Sequence, residues 1–272
     1  MKYNKINIYN RHFSQNRINP LRPEWFDYEQ TFVNLLATTD FDRCRLTVVF
    51  EREEDYDSYF IKKYEDYAEF DVKFIDTSRD KWLNLTNEDI AWSRSIAAAA
   101  EVINNDHLPS DELIYIVDDD FLHVPQWTMI VEDYIEHFFD NENFWICLCD
   151  YGDKYYFIDN KHTIDQYGTD LGMYASLKSK LRISHYCHWR SVPNCLTSSM
   201  VPVNTFNRDF DPYWKTGYSD GSLCSKIKEQ YGTEFWTPIK SLSCHTAHPF
   251  LPPFIDWETL SNMTLTSEKI NV

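Results

Sequence analysis

Two kinds of pattern alternate along the first half of the chain. Short apolar runs rich in β-branched residues predict strands, namely Ile6–Tyr9, Leu46–Phe50, Val72–Ile75 and Leu113–Val117. Longer stretches with apolar residues at helical spacing predict helices, namely Glu24–Ala37 after Pro23, Tyr56–Tyr67 and Asn87–Asn104. Because strands alternate with helices, the pattern predicts an α/β fold, with a mainly parallel sheet flanked by helices on both faces.

The second half of the chain has a less regular pattern. It predicts a helix over Ser219–Tyr231, closed by Gly232, and strands at Phe144–Cys149, Tyr155–Ile158 and Pro238–Leu242. No low-complexity linker or internal repeat separates the halves. We therefore expect one compact unit with two lobes, residues 1–122 and residues 123–272, divided just after three successive aspartates.

Composition and charge narrow the class of protein. The 272 residues include 26 Lys plus Arg against 43 Asp plus Glu, which gives a formal net charge of −17. Such a surface repels phosphate, which disfavours a general nucleic-acid-binding role. Met1–Arg11 lacks the pattern of a signal peptide, and no apolar run approaches the roughly 18 residues of a membrane span. We therefore expect no integral membrane contact.

The cysteines indicate a reducing compartment. Seven cysteines are dispersed without a C-x-x-C pair, which disfavours a disulfide framework and a structural zinc site. They are Cys44, Cys147, Cys149, Cys187, Cys195, Cys224 and Cys244. The expectation is a set of reduced thiols in a cytoplasmic protein.

Polar side chains follow each of the four strands predicted in the first half. They are Asn10-Arg11, Glu51-Arg52, Asp76-Thr77 and Asp118-Asp119-Asp120. In a parallel sheet, ligands bind beyond the carboxyl ends of the strands. The four clusters are therefore expected to face one crevice.

The aspartate triplet is the strongest local signal for chemistry. Three carboxylates at the open end of a buried strand repel one another unless a cation or a basic group lies among them. Carboxylate oxygens are ligands of hard divalent metals. The alternative is a solvated loop whose aspartates cap the following turn. The position at the end of a buried strand favours the metal site.

The segment LIYIVDDDF, residues 113–121, resembles the D-x-D motif of GT-A-fold glycosyltransferases, most closely the broad family 2 type. The resemblance implies a GT-A-like, Rossmann-type sheet in which residues 1–122 bind a nucleotide sugar and residues 123–272 bind the acceptor. It also implies Mn²⁺ or Mg²⁺, bound together with the diphosphate of a donor expected to be of the UDP type. On this resemblance Asp118 and Asp120 are the outer aspartates, with Asp120 the direct metal ligand.

Residues around the donor follow from the same resemblance. Glu51 falls where the family places an acid against the nucleobase or ribose. Arg94 falls where the family has a basic residue beside the donor. The other polar residues at the strand ends are expected to contact the donor as well, namely Asn10, Arg11, Asp76, Asp118 and Asp119.

The resemblance continues in the second half. Residues 198–232 are similar to the acceptor segment of the family, in which the second acid of a pair is the catalytic base. Here the pair is Ser219-Asp220, so Asp220 alone matches, and the first acid is missing. Many members place a histidine metal ligand further on, where His245 is the first candidate and His248 the second. Imidazole suits Mn²⁺ better than Mg²⁺ because it is a softer ligand.

The implied chemistry is the transfer of a sugar to an acceptor hydroxyl. A single base opposite the leaving group implies one displacement, and therefore inversion at the anomeric carbon. The acceptor stays open between a glycan, a lipid, a protein, a small molecule and a modified nucleic-acid base. A rival class is a nucleotidyltransferase or another two-metal phosphotransfer enzyme, which an acidic triplet also suits. A carbohydrate-binding module without activity explains the aromatic residues but not the acids at the strand ends.

The segment Lys178–Arg190 is a local exception in an acidic chain. It carries four basic residues and no acid, interleaved with histidines and aromatic residues. One interpretation is a clamp for the donor diphosphate or a nucleic-acid acceptor, and the other is a surface strand pair balanced by nearby acids. Trp214, close to Asp220 in sequence, is the aromatic residue expected at the acceptor site.

Overall fold

The computed structural model describes residues 2–12, 21–53, 56, 60–78, 81, 91–139, 143–151, 179–194, 198–216, 220–248 and 250–262, with only the backbone at 91–93, 216, 220 and 221. The strands are β1 (Ile6–His12), β2 (Cys44–Phe50), β3 (Phe70–Phe74), β4 (Leu113–Asp118), β5 (Phe121–His123), β6 (Phe144–Cys147), β7 (Leu181–Ile183), β8 (His188–Ser191), β9 (Ser199–Pro202), β10 (Glu234–Pro238) and β11 (Ser243–His245). The α-helices are α1 (Tyr28–Thr38), α2 (Ala91–Asn105), α3 (Trp127–Phe138), α4 (Val203–Phe210), α5 (Asp220–Tyr231) and α6 (Trp257–Ser261). Short 3-10 helices cover Phe60–Tyr64 and Trp214–Thr216.

Nine of the strands form one mixed sheet in the order β3-β2-β1-β4-β9-β6-β10-β8-β7. The first four strands in this order are parallel to one another. Helix α1 lies between β1 and β2 in the chain, and α2 lies between β3 and β4. Every residue of β1 and of β4 is buried, as expected for parallel strands covered on both faces. The predicted α/β fold with a mainly parallel core is confirmed.

Residues of the second half complete this sheet. Strand β9 runs antiparallel between β4 and β6, so that Met200 pairs with Tyr115 on one side and Ile146 on the other. Strand β10 is parallel to β6, and the β7–β8 hairpin forms the far edge. Both halves of the chain therefore share one sheet.

A small antiparallel sheet of β5 and β11 returns the chain to the end of β4. His245 pairs with Phe121, directly after the aspartate triplet. A buried chain of hydrogen bonds joins this sheet to β4. The Tyr115 hydroxyl lies 2.7 Å from His123 Nε2 and 2.8 Å from Ser198 Oγ, which in turn lies 2.6 Å from Ser243 Oγ.

The predicted helices of the first half are confirmed in part. Helix α1 begins after Asp27, whose carboxylate accepts the Gln30 N–H, and not directly after Pro23. This cap satisfies a backbone donor that a helix start otherwise leaves without a partner. Helix α2 is described from residue 91 to 105, within one residue of its predicted end.

The predicted helix over residues 56–67 is confirmed only in part. Of the described residues in that range, Tyr56 is α-helical, residues 60–64 form a 3-10 helix and residues 65–67 form a turn. The aromatic side chains pack on neighbouring elements, with Tyr64 and Phe32 ring centroids 5.9 Å apart and Tyr56 and Phe50 centroids 5.4 Å apart. The aromatic residues at helical spacing are therefore packed against α1 and β2.

In the second half, the strand at 144 and the helix ending at Tyr231 are confirmed. Gly232 follows that helix with φ of 64°, in the left-handed region that favours glycine. The predicted strand Pro238–Leu242 is wrong, because β10 ends at Pro238 and β11 begins at Ser243. The predicted strand Tyr155–Ile158 lies outside the described residues.

Candidate active site

The aspartate triplet occupies the carboxyl end of β4, and three other elements fix its backbone. Asn10 Nδ2, from β1, donates to the Asp118 carbonyl at 3.3 Å. The Thr31 hydroxyl, from α1, donates to the Asp119 carbonyl at 2.6 Å. Thr246, just after β11, donates to the Asp120 carbonyl from its backbone N–H at 3.0 Å and its hydroxyl at 2.6 Å. The main chain that carries the carboxylates is therefore held by contacts from distant parts of the sequence.

Asp118 is paired with a buried arginine. The Arg11 guanidinium, 1% exposed, forms an ion pair with Asp118 Oδ1. Burial raises the pKa of the Asp118 carboxyl, the positive charge of Arg11 opposes that rise, and the nearby charge of Asp120 adds to it. The predicted donor residue Arg11 thus lies directly against the predicted metal ligand Asp118.

Asp120 contacts two positively charged or protonatable groups through one oxygen. Its Oδ2 forms an ion pair with Arg22 and lies 3.3 Å from His245 Nε2. Burial alone raises the pKa of Asp120, but His245 and Arg22 outweigh it and hold that pKa below its usual range. The other oxygen, Oδ1, is buried, and no hydrogen-bond donor of the described residues reaches it. One oxygen of Asp120 is therefore available to a cation.

His245 has a fixed ring position beside Asp120. Its imidazole stacks between Phe121 and Phe250, with ring centroids at 5.1 and 5.3 Å and interplanar angles of 8° and 5°. Because both faces of the imidazole are covered, only its edge, which carries Nε2, faces Asp120. His248 is exposed, and its backbone N–H donates to the Leu21 carbonyl. Of the two predicted histidines, the structure brings His245 to the triplet.

Asp119 lies beside a neutral histidine. Its Oδ2 is 3.9 Å from Nδ1 of His12, the last residue of β1. Burial lowers the pKa of His12 to about 3, so the imidazole is uncharged at neutral pH. The other nitrogen, Nε2, lies 2.6 Å from Asn10 Oδ1. His12 therefore orients Asn10, which in turn contacts the triplet backbone.

The remaining predicted donor residues lie at the same edge of the sheet. Glu51 directly follows β2 and is half-buried, while Asp76 follows β3 and is exposed. Arg94 Nε, near the start of α2, donates to the Thr77 carbonyl at 3.0 Å. This contact joins the start of α2 to the end of β3. Asp220 is the first residue of α5, and its side chain lies outside the described part of the structure.

Arg22 is the main site residue that the sequence did not reveal. Its guanidinium bridges Asp120 and the Thr246 carbonyl, which it reaches at 2.8 Å, and it lies 4.4 Å from the centre of the Phe26 ring. Arg22 precedes a helix and does not follow a strand. The search for polar residues at the carboxyl ends of strands therefore does not find it. The same search covers His12, but only if β1 is extended to its actual end.

The basic segment of the sequence is balanced by acids, as the second interpretation expected. In the described part, Lys180 and Arg182 of the β7–β8 hairpin pair with Glu234, and Arg190 pairs with Asp150. A role of Lys178–Arg190 as a basic surface for nucleic acid is therefore not supported. The described charges of this segment belong to the packing of the hairpin.

Trp214 is a core residue and not an exposed sugar platform. It is 3% exposed, and it stacks on Trp145 with centroids 5.2 Å apart and an interplanar angle of 13°. The expectation of Trp214 at the acceptor site was wrong, because its indole completes the packing between α4 and β6. Phe206 also contacts its ring, with centroids 5.4 Å apart.

The fold and the site together define an α/β protein with an acidic centre at the carboxyl edge of its sheet. No family model and no curated protein matches the chain. Among solved structures it is similar to residues 1–349 of S. aureus TarS, with a TM-score of 0.48 and 9% identity over 86% of this chain and 57% of that one. It is also similar to mouse xyloside xylosyltransferase 1 in its apo form, with a TM-score of 0.47 and 14% identity over 85% of this chain and 84% of that one. The chain thus spans little more than half the length of the TarS fragment.

Among the helices of the described residues, none combines the length and apolar character needed to cross a bilayer.

Proposed function

We propose that the protein is a metal-dependent, inverting glycosyltransferase that moves a sugar from a nucleoside-diphosphate donor of the UDP type to an acceptor hydroxyl. The observation that carries the proposal is the buried carboxylate pair Asp118 and Asp120 at the carboxyl end of β4, with His245 against Asp120. Ligands of parallel sheets bind at this edge.

The donor atoms at this edge fit a divalent cation. Asp120 offers a buried oxygen that accepts no hydrogen bond from the described residues, and His245 offers an imidazole nitrogen beside it. Two carboxylates and an imidazole suit Mn²⁺. We therefore assign Asp118, Asp120 and His245 as the residues that would hold the ion, with His248 a second-choice ligand. When bound, such an ion neutralises the charge that develops on a diphosphate leaving group.

The protein residues around the triplet keep it ready for a ligand. Arg11 and Arg22 compensate two carboxylates that would otherwise repel each other in a buried setting. The backbone contacts from Thr31 and Thr246 keep the triplet in place before any ligand arrives. Groups that are positioned in advance need little reorganisation during the reaction.

We assign the donor and acceptor roles in keeping with this arrangement. The nucleoside would bind near the ends of β2 and β3 and the start of α2, where Glu51, Asp76 and Arg94 lie. The donor would also contact Asp119 of the triplet and its neighbours Asn10 and Arg11. Asp220, at the start of α5, is the proposed base that takes the proton of the acceptor hydroxyl. General base catalysis is worth about 10²–10⁴ in rate.

The cytoplasm is the proposed location. None of the six described cysteines forms a disulfide, and all but Cys187 are buried. The dispersed arrangement of the cysteines in the sequence, without a C-x-x-C pair, supports a reducing compartment.

Thermal unfolding with UDP, GDP, CMP and dTDP tests the proposal, each nucleotide with Mn²⁺ and with chelator. A nucleotide at about 100 times its dissociation constant adds about 2.7 kcal/mol to the free energy of unfolding. We expect one nucleotide, UDP, to produce that stabilisation with Mn²⁺ only. The stabilisation should vanish in Asp120→Ala and persist in Asp211→Ala, a matched exposed aspartate whose partner is Lys215.

The rival phosphotransfer class predicts a different result. Such an enzyme binds a nucleoside triphosphate with two ions and releases pyrophosphate, whereas a glycosyltransferase releases a nucleoside diphosphate. Absence of any metal-dependent stabilisation by the four nucleotides, combined with stabilisation by a triphosphate, would overturn the proposal.

A further inference from the structure

A second group of ligand-type side chains lies on helix α3, away from the triplet. Asp133 and His137 are four residues apart, so they project from the same side of the helix. The helix buries its opposite side through Val131, Tyr134 and Ile135. The Asp133 carboxylate is 8% exposed, while the His137 side chain is 41% exposed.

The turn of the β7–β8 hairpin brings a third side chain to this pair. His185 Nδ1 lies 2.8 Å from Asp133 Oδ1, and the His185 backbone N–H donates to Asp133 Oδ2 at 2.9 Å. His137 Nδ1 lies 3.2 Å from the same Asp133 Oδ1. The two imidazoles meet edge to face, with centroids 4.4 Å apart. Both histidines therefore contact one carboxylate oxygen, although His137 Nδ1 lies nearer still, at 2.8 Å, to the Asp133 carbonyl oxygen.

The spacing of these groups matches a metal site. One ligand atom from each of the three residues lies within 4.8 Å of the others. Zinc bonds nitrogen and oxygen at about 2.0–2.2 Å in a tetrahedron, so its ligand atoms stand about 3.3–3.6 Å apart. The two observed contacts of Asp133 Oδ1, at 2.8 and 3.2 Å, lie slightly below this range. The 67% exposure of His185 gives ions free access from solvent.

We propose that Asp133, His137 and His185 form a binding site for Zn²⁺ or a similar divalent transition ion. Two imidazoles and one carboxylate are a ligand set that such ions favour, and the fourth position is open to water. The ion would join the end of α3 to the hairpin at the edge of the sheet. Its role is structural, and it is separate from the ion proposed for the triplet.

The full-length chain, stripped of metal, tests this site by calorimetric titration with ZnCl₂ in a buffer that does not bind zinc. We expect one Zn²⁺ at this site, with affinity reduced by about tenfold or more in His185→Ala and in Asp133→Asn, because each removes one of three ligands. His188→Ala is the matched control, since His188 is an exposed histidine of the same hairpin outside the cluster. It should bind Zn²⁺ as the wild type does.

A second background separates this ion from the one at the triplet. Asp120→Ala removes a proposed ligand of the triplet ion only. This variant should therefore keep the Zn²⁺ binding that is lost in His185→Ala. Co²⁺ in place of Zn²⁺ should give visible absorption without a thiolate charge-transfer band, which excludes Cys187 as the ligand. Equal Zn²⁺ affinity in wild type and His185→Ala would overturn the proposal, and so would equal losses in His185→Ala and His188→Ala. The hydrogen bonds of Asp133 would then be the whole function of the cluster.

Discussion

The buried ion pair between Arg190 and Asp150 should be one of the strongest single contacts in the hairpin. Arg190 reaches Asp150 Oδ1 through Nη2 at 2.5 Å and Nε at 3.2 Å. The Asp150 side chain is 0% exposed and that of Arg190 is 19% exposed. Removal of one partner of such a pair leaves a buried charge, which costs about 3–5 kcal/mol. We therefore expect Arg190→Met to lower the free energy of unfolding by that amount.

Lys180 of the same hairpin provides the matched control. It pairs with Glu234 at 2.6 Å, but its side chain is 72% exposed. Exposed ion pairs contribute about 0–1 kcal/mol, because water screens the charges. Lys180→Met should therefore be nearly neutral, although it removes the same formal charge.

Urea unfolding monitored by tryptophan fluorescence, at pH 7 with chelator, measures both variants. The predicted loss for Arg190→Met corresponds to a fall in Tm of about 6–20 °C, at about 2–4 °C per kcal/mol. The double variant Arg190→Met with Asp150→Asn should recover part of the loss, because no buried charge remains. If Arg190→Met costs no more than Lys180→Met, the hairpin charges are not structural, and the interpretation of this segment as a basic binding surface must be reopened.

Three further changes test other parts of the molecule. Asp220→Asn should abolish transfer while the nucleotide-dependent thermal shift stays intact; if most turnover survives, another residue is the base. Burial lowers the pKa of His123 to about 3, so below pH 6.5 the unfolded chain takes up a proton that the folded chain does not. Stability should therefore fall as the pH drops from 6.5 to 5, and His123→Gln should flatten the urea-derived slope by about 1 kcal/mol per pH unit over that range; an unchanged slope would show that the His123 imidazole is not buried in its neutral form. Gly232→Ala should cost about 1 kcal/mol, because no atom within 4 Å opposes the added Cβ and the cost arises only from φ of 64°; a much larger loss in urea would reveal a steric clash.

The elements that could be predicted from sequence are those whose signal is local. The strand before the aspartate triplet is an unbroken apolar run followed at once by charge, so both the end of the strand and the candidate metal ligands could be predicted. Gly232 could be placed for the same reason, since a helix pattern stops there. The prediction that polar residues at four strand ends lie along one edge also rests only on the alternation of strands and helices.

The features that could not be predicted depend on distant pairings. Arg22 contacts Asp120, which is 98 residues away in the sequence, and no pattern near Arg22 predicts that contact. Strand β9 has four residues, too few for a period, yet it lies in the centre of the sheet. Trp214 was misplaced because an indole suits both a sugar and a core, and only the stacking on Trp145 decides between them.

The central position of β9 has a consequence for biosynthesis. Strand β4 has β1 on one side, but its other side is covered only when residues 199–202 have been made. Until then a nascent chain that includes the whole first half displays an open, apolar strand edge, which is prone to pair with other chains. His245, which contacts Asp120 and is a proposed metal ligand, is made later still. A nascent chain that has emerged as far as residue 122 therefore exposes a half-sheet that needs protection, and the enzyme we propose becomes active only after His245 has been made.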